Sequence, residues 1–173
     1  MVKKSTKSTS IKQAWLCLAV VRILLGFTFL WAFFDKLIGL NYATAPAKAW
    51  LAGGSPTTGF LSHVGTPFAN MFSAMTNQPF VDILFMFGLL GLGLALILGI
   101  GIRVAAVAGS VMYFLMYLAS GFFAPKSNNP IIDDHIIHMV LLWTFAAGLS
   151  EQRLSIAKWW QSIPFVKKNP WLW

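Results

Sequence analysis

The chain of 173 residues is 57% hydrophobic and only 10% charged, with a mean hydropathy of +0.69. Soluble domains carry about 25% charged residues, so this composition excludes an ordinary soluble domain and predicts one integral membrane domain. The formal net charge is +8. Because the lysines cluster near the two chain ends, this charge predicts contact with anionic membrane lipids rather than with nucleic acid.

The first part of the chain predicts a basic arm, an apolar span and a long loop. Residues 1–12 hold four lysines among Ser and Thr. Residues 13–34 are apolar except for Arg22, and at about 1.5 Å per residue they are long enough to cross a bilayer. This run exceeds the apolar core of a signal peptide, so we expect an uncleaved first span. Gly and Pro signals divide the loop 35–79 into short pieces.

Three further apolar segments complete a predicted bundle. In the second span, Gly91, Ala95 and Gly99 recur every four residues, which predicts a face for close contact with another helix. The end of the chain mixes Trp and Lys residues, as is typical of a membrane interface. The predicted boundaries are 80–101 for the second span, 104–123 for the third, 131–149 for the fourth and 151–173 for an amphipathic juxtamembrane tail.

The distribution of Lys and Arg predicts the orientation. These residues concentrate in the N-terminal arm, in the turn between the second and third spans and in the tail. Lys and Arg favour the cytoplasmic side, so both termini are predicted to be cytoplasmic and the loop 35–79 to lie outside. The fold class expected is therefore an all-α integral membrane protein, a four-transmembrane-helix bundle with a long outer loop between the first two spans.

The start of the fourth span carries two of the five acidic residues and two of the three histidines. Asn129 is a suitable N-cap and Pro130 a suitable first helical residue. At about 100° per residue, Asp134 and His138 differ by about 40° and share a face. Ionisable groups at depth in a bilayer are candidates for function. The alternative is that the acids only stabilise the helix dipole and the histidines are interfacial.

These polar groups predict a quinone site at the outer side. Two-electron quinone chemistry takes up or releases two protons, which a histidine with a nearby carboxylate can relay at neutral pH. Arg22 would contact a quinone oxygen or an anion, although it could instead be an ion-paired strut between helices. We predict Asp134 and His138 as catalytic residues, and as quinone- or substrate-binding residues Arg22, Lys36, Asp133 and His135.

Two other site chemistries are weaker. Asp134, His135 and His138 could supply oxygen and nitrogen ligands, but the chain has no HExxH motif and no thiolate pair, so no metal is expected. A serine hydrolase site is also disfavoured. A small transporter is also disfavoured, because the sequence shows no inverted repeat.

Three sequence motifs carry a family resemblance. Arg22-Ile-Leu-Leu-Gly26 followed by Phe34-Asp35-Lys36-Leu37 resembles the first-span signature of the DoxX/DoxD family. Gly53-Gly54-Ser55-Pro56-Thr57 with Gly59-Phe60-Leu61 is similar to the DoxD-type loop. Asn128-Asn129-Pro130-Ile131-Ile132-Asp133-Asp134-His135 is similar to the last-span signature. Asp35 favours the DoxD branch.

The resemblance covers nearly the whole chain and implies a four-helix membrane bundle in the plasma membrane of a bacterium or archaeon. The best-known member type is the small membrane subunit of an archaeal thiosulfate:quinone oxidoreductase, which works with a second redox subunit. The function expected is therefore a quinone-interacting subunit that receives electrons from thiosulfate or another small sulfur donor. The alternative is a non-catalytic anchor or assembly subunit for a redox partner.

Overall fold

All secondary structure in the part of the chain that the structure describes is helical. The computed structural model describes residues 3–124 and 129–173, with side chains from residue 11 onward. Short 3₁₀ turns occur at Pro46–Lys48, Trp50–Ala52, Leu149–Glu151 and Pro170–Leu172. The α-helices are α1 (Lys3–Ile38), α2 (Thr58–Leu61), α3 (Ala69–Ser73), α4 (Pro79–Leu98), α5 (Ile102–Ser120), α6 (Asp134–Ala147), α7 (Ala157–Ser162) and α8 (Pro164–Lys168).

The first helix is longer than the sequence predicted. We expected an irregular arm at 1–12 and a span at 13–34, but α1 runs without a break from Lys3 to Ile38. No Gly or Pro precedes Gly26 in this helix, so helix formation propagates back from the apolar part through the Lys, Ser and Thr residues. Residues 1 and 2 lie outside the described part of the chain.

Three helices are long and apolar enough to cross a membrane, namely Ile11–Ile38 within α1, Pro79–Leu98 and Ile102–Ser120. The protein is therefore a multi-pass membrane protein. The residue bounds of α4 and α5 are close to those predicted for the second and third spans. The predicted fourth span 131–149 is shorter in the structure, because α6 has 14 residues. At 1.5 Å per residue α6 is about 21 Å long, against a hydrocarbon core of about 30 Å.

The four main helices form an antiparallel bundle in chain order. α1 packs on α4, α4 on α5 and α5 on α6. Residues 39–78 lie at one end of the bundle, here called the loop end, where α1 and α5 finish and α4 and α6 begin. Residues 149–173 lie at the opposite end, here called the tail end. The core between the helices is apolar, with Leu25, Met86, Leu96, Ala106 and Leu142 almost fully buried.

The close contact between α1 and α4 depends on glycines other than those predicted. A Cβ at Gly26 would lie 2.9 Å from Ile97 and Leu96 of α4, and a Cβ at Gly93 would lie 2.6 Å from Leu30 of α1. These spacings leave no room for a side chain, so the two backbones approach through both glycines.

The predicted stripe of Gly91, Ala95 and Gly99 is a contact face only in part. Ala95 packs against the apolar core, and a Cβ at Gly99 would lie 2.7 Å from Arg22 Nη1 of α1. Gly91 is exposed, and a Cβ there would meet nothing within 4 Å. Gly99 lies beyond the last residue of α4, where it ends the helix with φ of 70°. A spacing of four residues spirals around a helix of 3.6 residues per turn. Gly91 therefore lies off the face that carries Gly93, where the contact with α1 is close.

The loop end is closed by side chains that satisfy backbone groups. The buried Asp35 carboxylate accepts the N–H groups of Tyr42 at 3.3 Å and Ala43 at 3.1 Å, which fixes the turn after α1. Thr66 donates its hydroxyl to the carbonyl of Leu118 near the end of α5, at 2.7 Å. Residues 61–75 thereby cover this end of α4 and α5 with a second small apolar cluster, which includes Leu61, Phe72 and Ala119.

Candidate functional site

Asp133 begins α6. It has an extended backbone, and its side chain accepts the N–H groups of His135 and Ile136. The predicted N-cap Asn129 instead accepts the N–H groups of Ile131 and Ile132, so it closes a turn before the helix. Both residues use the same chemistry, and the sequence alone did not reveal which of the two turns continues as a helix. Asn128, in the last-span motif, lies outside the described residues.

The capping carboxylate of Asp133 also holds a histidine. Its second oxygen lies 2.7 Å from His135 Nδ1. A carboxylate can only accept, so Nδ1 carries the proton and Nε2 is the nitrogen that can exchange protons with a ligand. Gly121 makes this arrangement possible, because a Cβ there would collide with Asp133 Oδ2. The Tyr117 hydroxyl donates to the carbonyl of Ile131 at 2.6 Å. This hydrogen bond holds the chain segment just before Asp133 against α5.

The ring of Tyr113 in α5 packs against both histidines of α6. Its ring is buried and lies 5.1 Å from the His138 ring and 5.9 Å from the His135 ring, between ring centroids. It also contacts Phe29 of α1 at 5.3 Å. His138 Nδ1 is buried and has no hydrogen-bond partner among the described residues. An unsatisfied buried nitrogen costs free energy, so it is a favourable point for a ligand oxygen to bind.

Asp134 does not pair with His138 as predicted. Its side chain is 75% exposed, and its Oδ1 lies 3.6 Å from His135 Nδ1. Two residues on one helical face meet only if both side chains turn towards each other. Here His138 turns towards Tyr113 on α5, whereas Asp134 stays at the surface. The carboxylate–histidine pair of the site is therefore Asp133 with His135.

Arg22 lies at the other end of the bundle. It is 1% exposed, and its guanidinium donates to the carbonyls of Leu96 and Ile97 at the end of α4 and of Arg153 and Leu154 after α6. Side chains lean towards the N-terminus of their own helix, and the start of α1 is at the tail end. These contacts favour the strut alternative, with carbonyl groups in place of the acidic partner considered.

Lys36 is near the loop end, close to the end of α1, and is half-buried beside Asp35. It lies 14 positions after Arg22 in the chain, which is about 21 Å along a helix. The structure therefore does not bring Arg22 together with Lys36, Asp134 and His138 in one cavity. The residues that do meet are Asp133, His135, His138 and Tyr113, here called the histidine cluster.

Two residues of this cluster, Asp133 and His135, form a group with Asp134 that has the spacing of metal ligands. One ligand atom from each of Asp133, Asp134 and His135 lies within 4.8 Å of the others. Both Asp133 oxygens are already engaged, one by the first backbone N–H groups of α6 and the other by His135. Binding of a metal here would have to displace the His135 proton from Asp133, so the expectation that the chain needs no metal is retained.

Sequence reasoning missed two functional candidates. Tyr113 was not singled out, although Tyr113 and Tyr117 are polar groups spaced by four residues in an apolar helix, which is a usable signal. Asp82, in the first turn of α4, was likewise not assigned to a site. It accepts hydrogen bonds from Ser55 and Thr57 of the long loop.

Comparison with known proteins adds no assignment. No family model, curated protein or solved structure matches this chain significantly. The resemblance to the DoxX/DoxD family accordingly stays a prediction from the quoted motifs, and any function has to be argued from the geometry above.

Proposed function

We propose that this protein is a quinone-interacting subunit of a membrane oxidoreductase. The observation that supports this proposal is the histidine cluster, in which one buried tyrosine contacts two histidine rings at one end of an apolar bundle. Titratable groups of this kind are expensive in an apolar environment and mark proton-transfer sites.

The residues of the cluster would divide the proton chemistry between them. Reduction of a quinone to a quinol consumes two electrons and two protons. His138 Nδ1 would hydrogen-bond a quinone oxygen and exchange one proton with it, because this nitrogen has no partner among the described residues. His135, oriented by Asp133, would carry the second proton through Nε2. The exposed carboxylate of Asp134, 3.6 Å from His135 Nδ1, would stabilise the imidazolium that His135 forms when Nε2 takes up a proton.

The membrane arrangement belongs to this proposal. Basic residues concentrate at the tail end, including Arg103, Arg153, Lys158, Lys167 and Lys168, whereas the described part of the loop end has Lys36 and Lys48. By the positive-inside rule the tail end is cytoplasmic, and the histidine cluster faces outward. α6 would be the fourth crossing, accommodated by local thinning of the bilayer. The membrane would be the plasma membrane of a bacterium or archaeon.

A second redox subunit would supply the electrons. Cys17 is the only cysteine and faces outward from the bundle, so the chain has no dithiol of its own. A partner that oxidises thiosulfate or another small sulfur donor on the outer side would complete the reaction. One observation favours the alternative of a non-catalytic anchor. Neither of the two cavities described in the structure is lined by His135 or His138.

The test compares all three histidines of the chain. The full chain is purified with any partner in mild detergent, and bound quinone and quinol formation from thiosulfate are measured. His138→Gln and His135→Gln should each lower turnover by about 100-fold, within the usual range for acid–base residues, with unchanged quinone content. His63→Gln is the matched control, because His63 is exposed in the loop and outside the cluster.

Two results would contradict the proposal. If both cluster variants turn over as fast as the wild type, the histidines are structural. If the wild-type protein purifies with a partner but without quinone, the anchor function replaces the redox function.

A further inference from the structure

A cleft at the loop end has no part in the histidine cluster. It has a volume of about 370 Å³ and lies between the chain around Trp50–Ser55 and the first turn of α4. Its walls comprise Trp50, Gly53, Gly54, Ser55, Asn77, Pro79, Asp82 and Ile83. The cleft thus combines an aromatic ring, exposed glycine backbone and one acidic side chain.

The Asp82 carboxylate is held in a fixed position by hydrogen bonds to one of its two oxygens. Asp82 Oδ1 accepts the hydroxyl of Ser55 at 2.9 Å, the hydroxyl of Thr57 at 2.6 Å and the N–H of Thr57 at 3.1 Å. Thr58 donates its N–H to Ser55 at 3.1 Å, which orients the Ser55 hydroxyl towards Asp82. Three donors on a single oxygen prevent the carboxylate from rotating.

The other oxygen is free. Asp82 is 93% buried, yet Oδ2 has no hydrogen-bond partner among the described residues and is not sealed from the surface. The ion pairs in the described residues join His135 to Asp133 and Asp134, so the Asp82 charge has no cationic partner. A buried carboxylate without a counter-charge costs free energy that a cationic ligand recovers.

The chemistry of the cleft selects the kind of cation. An anion would be repelled by Asp82. A divalent metal ion would need several oxygen ligands, and the cleft offers one carboxylate. A primary ammonium can donate N–H hydrogen bonds to the free carboxylate oxygen, whereas a quaternary ammonium has no N–H to donate. Trp50 provides an aromatic wall, which also attracts cations. We propose that the Asp82 cleft binds a primary ammonium group.

Two sources could supply this group. One is a free amine in the outer solution, and the other is the headgroup of phosphatidylethanolamine in the bilayer. The second source is accessible because Ile83 on the cleft wall and the nearby Phe80 and Leu84 are exposed on the apolar surface of α4.

The test uses the full chain in nanodiscs of phosphatidylcholine. Binding of ethanolamine and of choline is measured by saturation-transfer NMR, and a parallel preparation containing phosphatidylethanolamine is examined for retained lipid by native mass spectrometry. We expect the protein to bind ethanolamine at least tenfold more tightly than choline, or to retain phosphatidylethanolamine over phosphatidylcholine by a similar factor. The first result assigns the ammonium group to a free amine and the second to a lipid.

Two variants decide whether Asp82 is the site. Asp82→Asn keeps an oxygen for the three loop donors and removes the charge, so binding should fall at least tenfold. Ile83→Lys leaves the loop hydrogen bonds untouched and places a tethered ammonium at the cleft wall, so it should block binding. Leu84→Lys, which adds the same charge outside the cleft, is its control. Equal binding of ethanolamine and choline, no binding of either source, or wild-type binding by both cleft variants would overturn the proposal.

Discussion

Replacing Arg22 with methionine tests whether this residue joins helices or contacts a ligand. Methionine has a similar length and is apolar, so it fills the space without donating hydrogen bonds. The substitution would leave four carbonyl groups without this donor, two at the end of α4 and two in the segment after α6.

The structure gives the size of the expected effect. The two bonds from Nη2 are 2.9 and 3.0 Å long, whereas the Nη1 contact with Ile97 is at 3.5 Å and contributes little. Hydrogen bonds from a charged donor contribute about 1.5–3 kcal/mol each, but removing the guanidinium also removes its desolvation cost. We therefore expect Arg22→Met to lower the free energy of unfolding by about 3–5 kcal/mol.

The assay is reversible unfolding in mixed detergent micelles, followed by circular dichroism. Arg22→Lys should lose less, because an ammonium keeps the charge and reaches some of the carbonyls. Arg103→Met is the matched control at the same end of the bundle. Arg103 is exposed and donates one side-chain bond, to the carbonyl of Pro170, so its loss should be much smaller.

The quinone content per folded protein should not change in Arg22→Met, because the guanidinium lies at the tail end. A loss of stability below about 1 kcal/mol would refute the strut role, since ordinary surface changes produce effects of that size. Loss of quinone with unchanged stability would show instead that Arg22 contacts the ligand.

Two other predictions concern packing and topology. Gly93→Ala should destabilise the protein by about 1–3 kcal/mol, because the added methyl group overlaps α1. Gly91→Ala, which has open space, should be neutral or gain up to about 1 kcal/mol of helix propensity; equal thermal stabilities of the two variants in detergent would contradict this packing. In a Cys17→Ser background, an impermeant maleimide should label Ser62→Cys but not Ser162→Cys in intact cells. Labelling of the second would reverse the proposed orientation.

The sequence predicted the membrane class and the second and third apolar helices well, because length and hydropathy are local properties. It singled out Arg22 but did not predict its partners, since the direction of a side chain depends on which helix end lies beside it. It identified the stretch that contains the histidine cluster, yet it paired His138 with Asp134. The correct pairing of His135 with Asp133 depends on a cap and on space at Gly121, and neither can be read from spacing.

The position of Arg22 has a consequence for how the chain is made. Its carbonyl partners in α4 lie 74 and 75 residues further along the chain, and its partners after α6 lie 131 and 132 residues further. At about 5–20 residues per second, the ribosome needs roughly 7–26 s to synthesise the chain from Arg22 to its last carbonyl partners after α6. During this time the first helix carries an incompletely bonded guanidinium, so α1 completes its packing at the tail end only after the last carbonyl groups are synthesised.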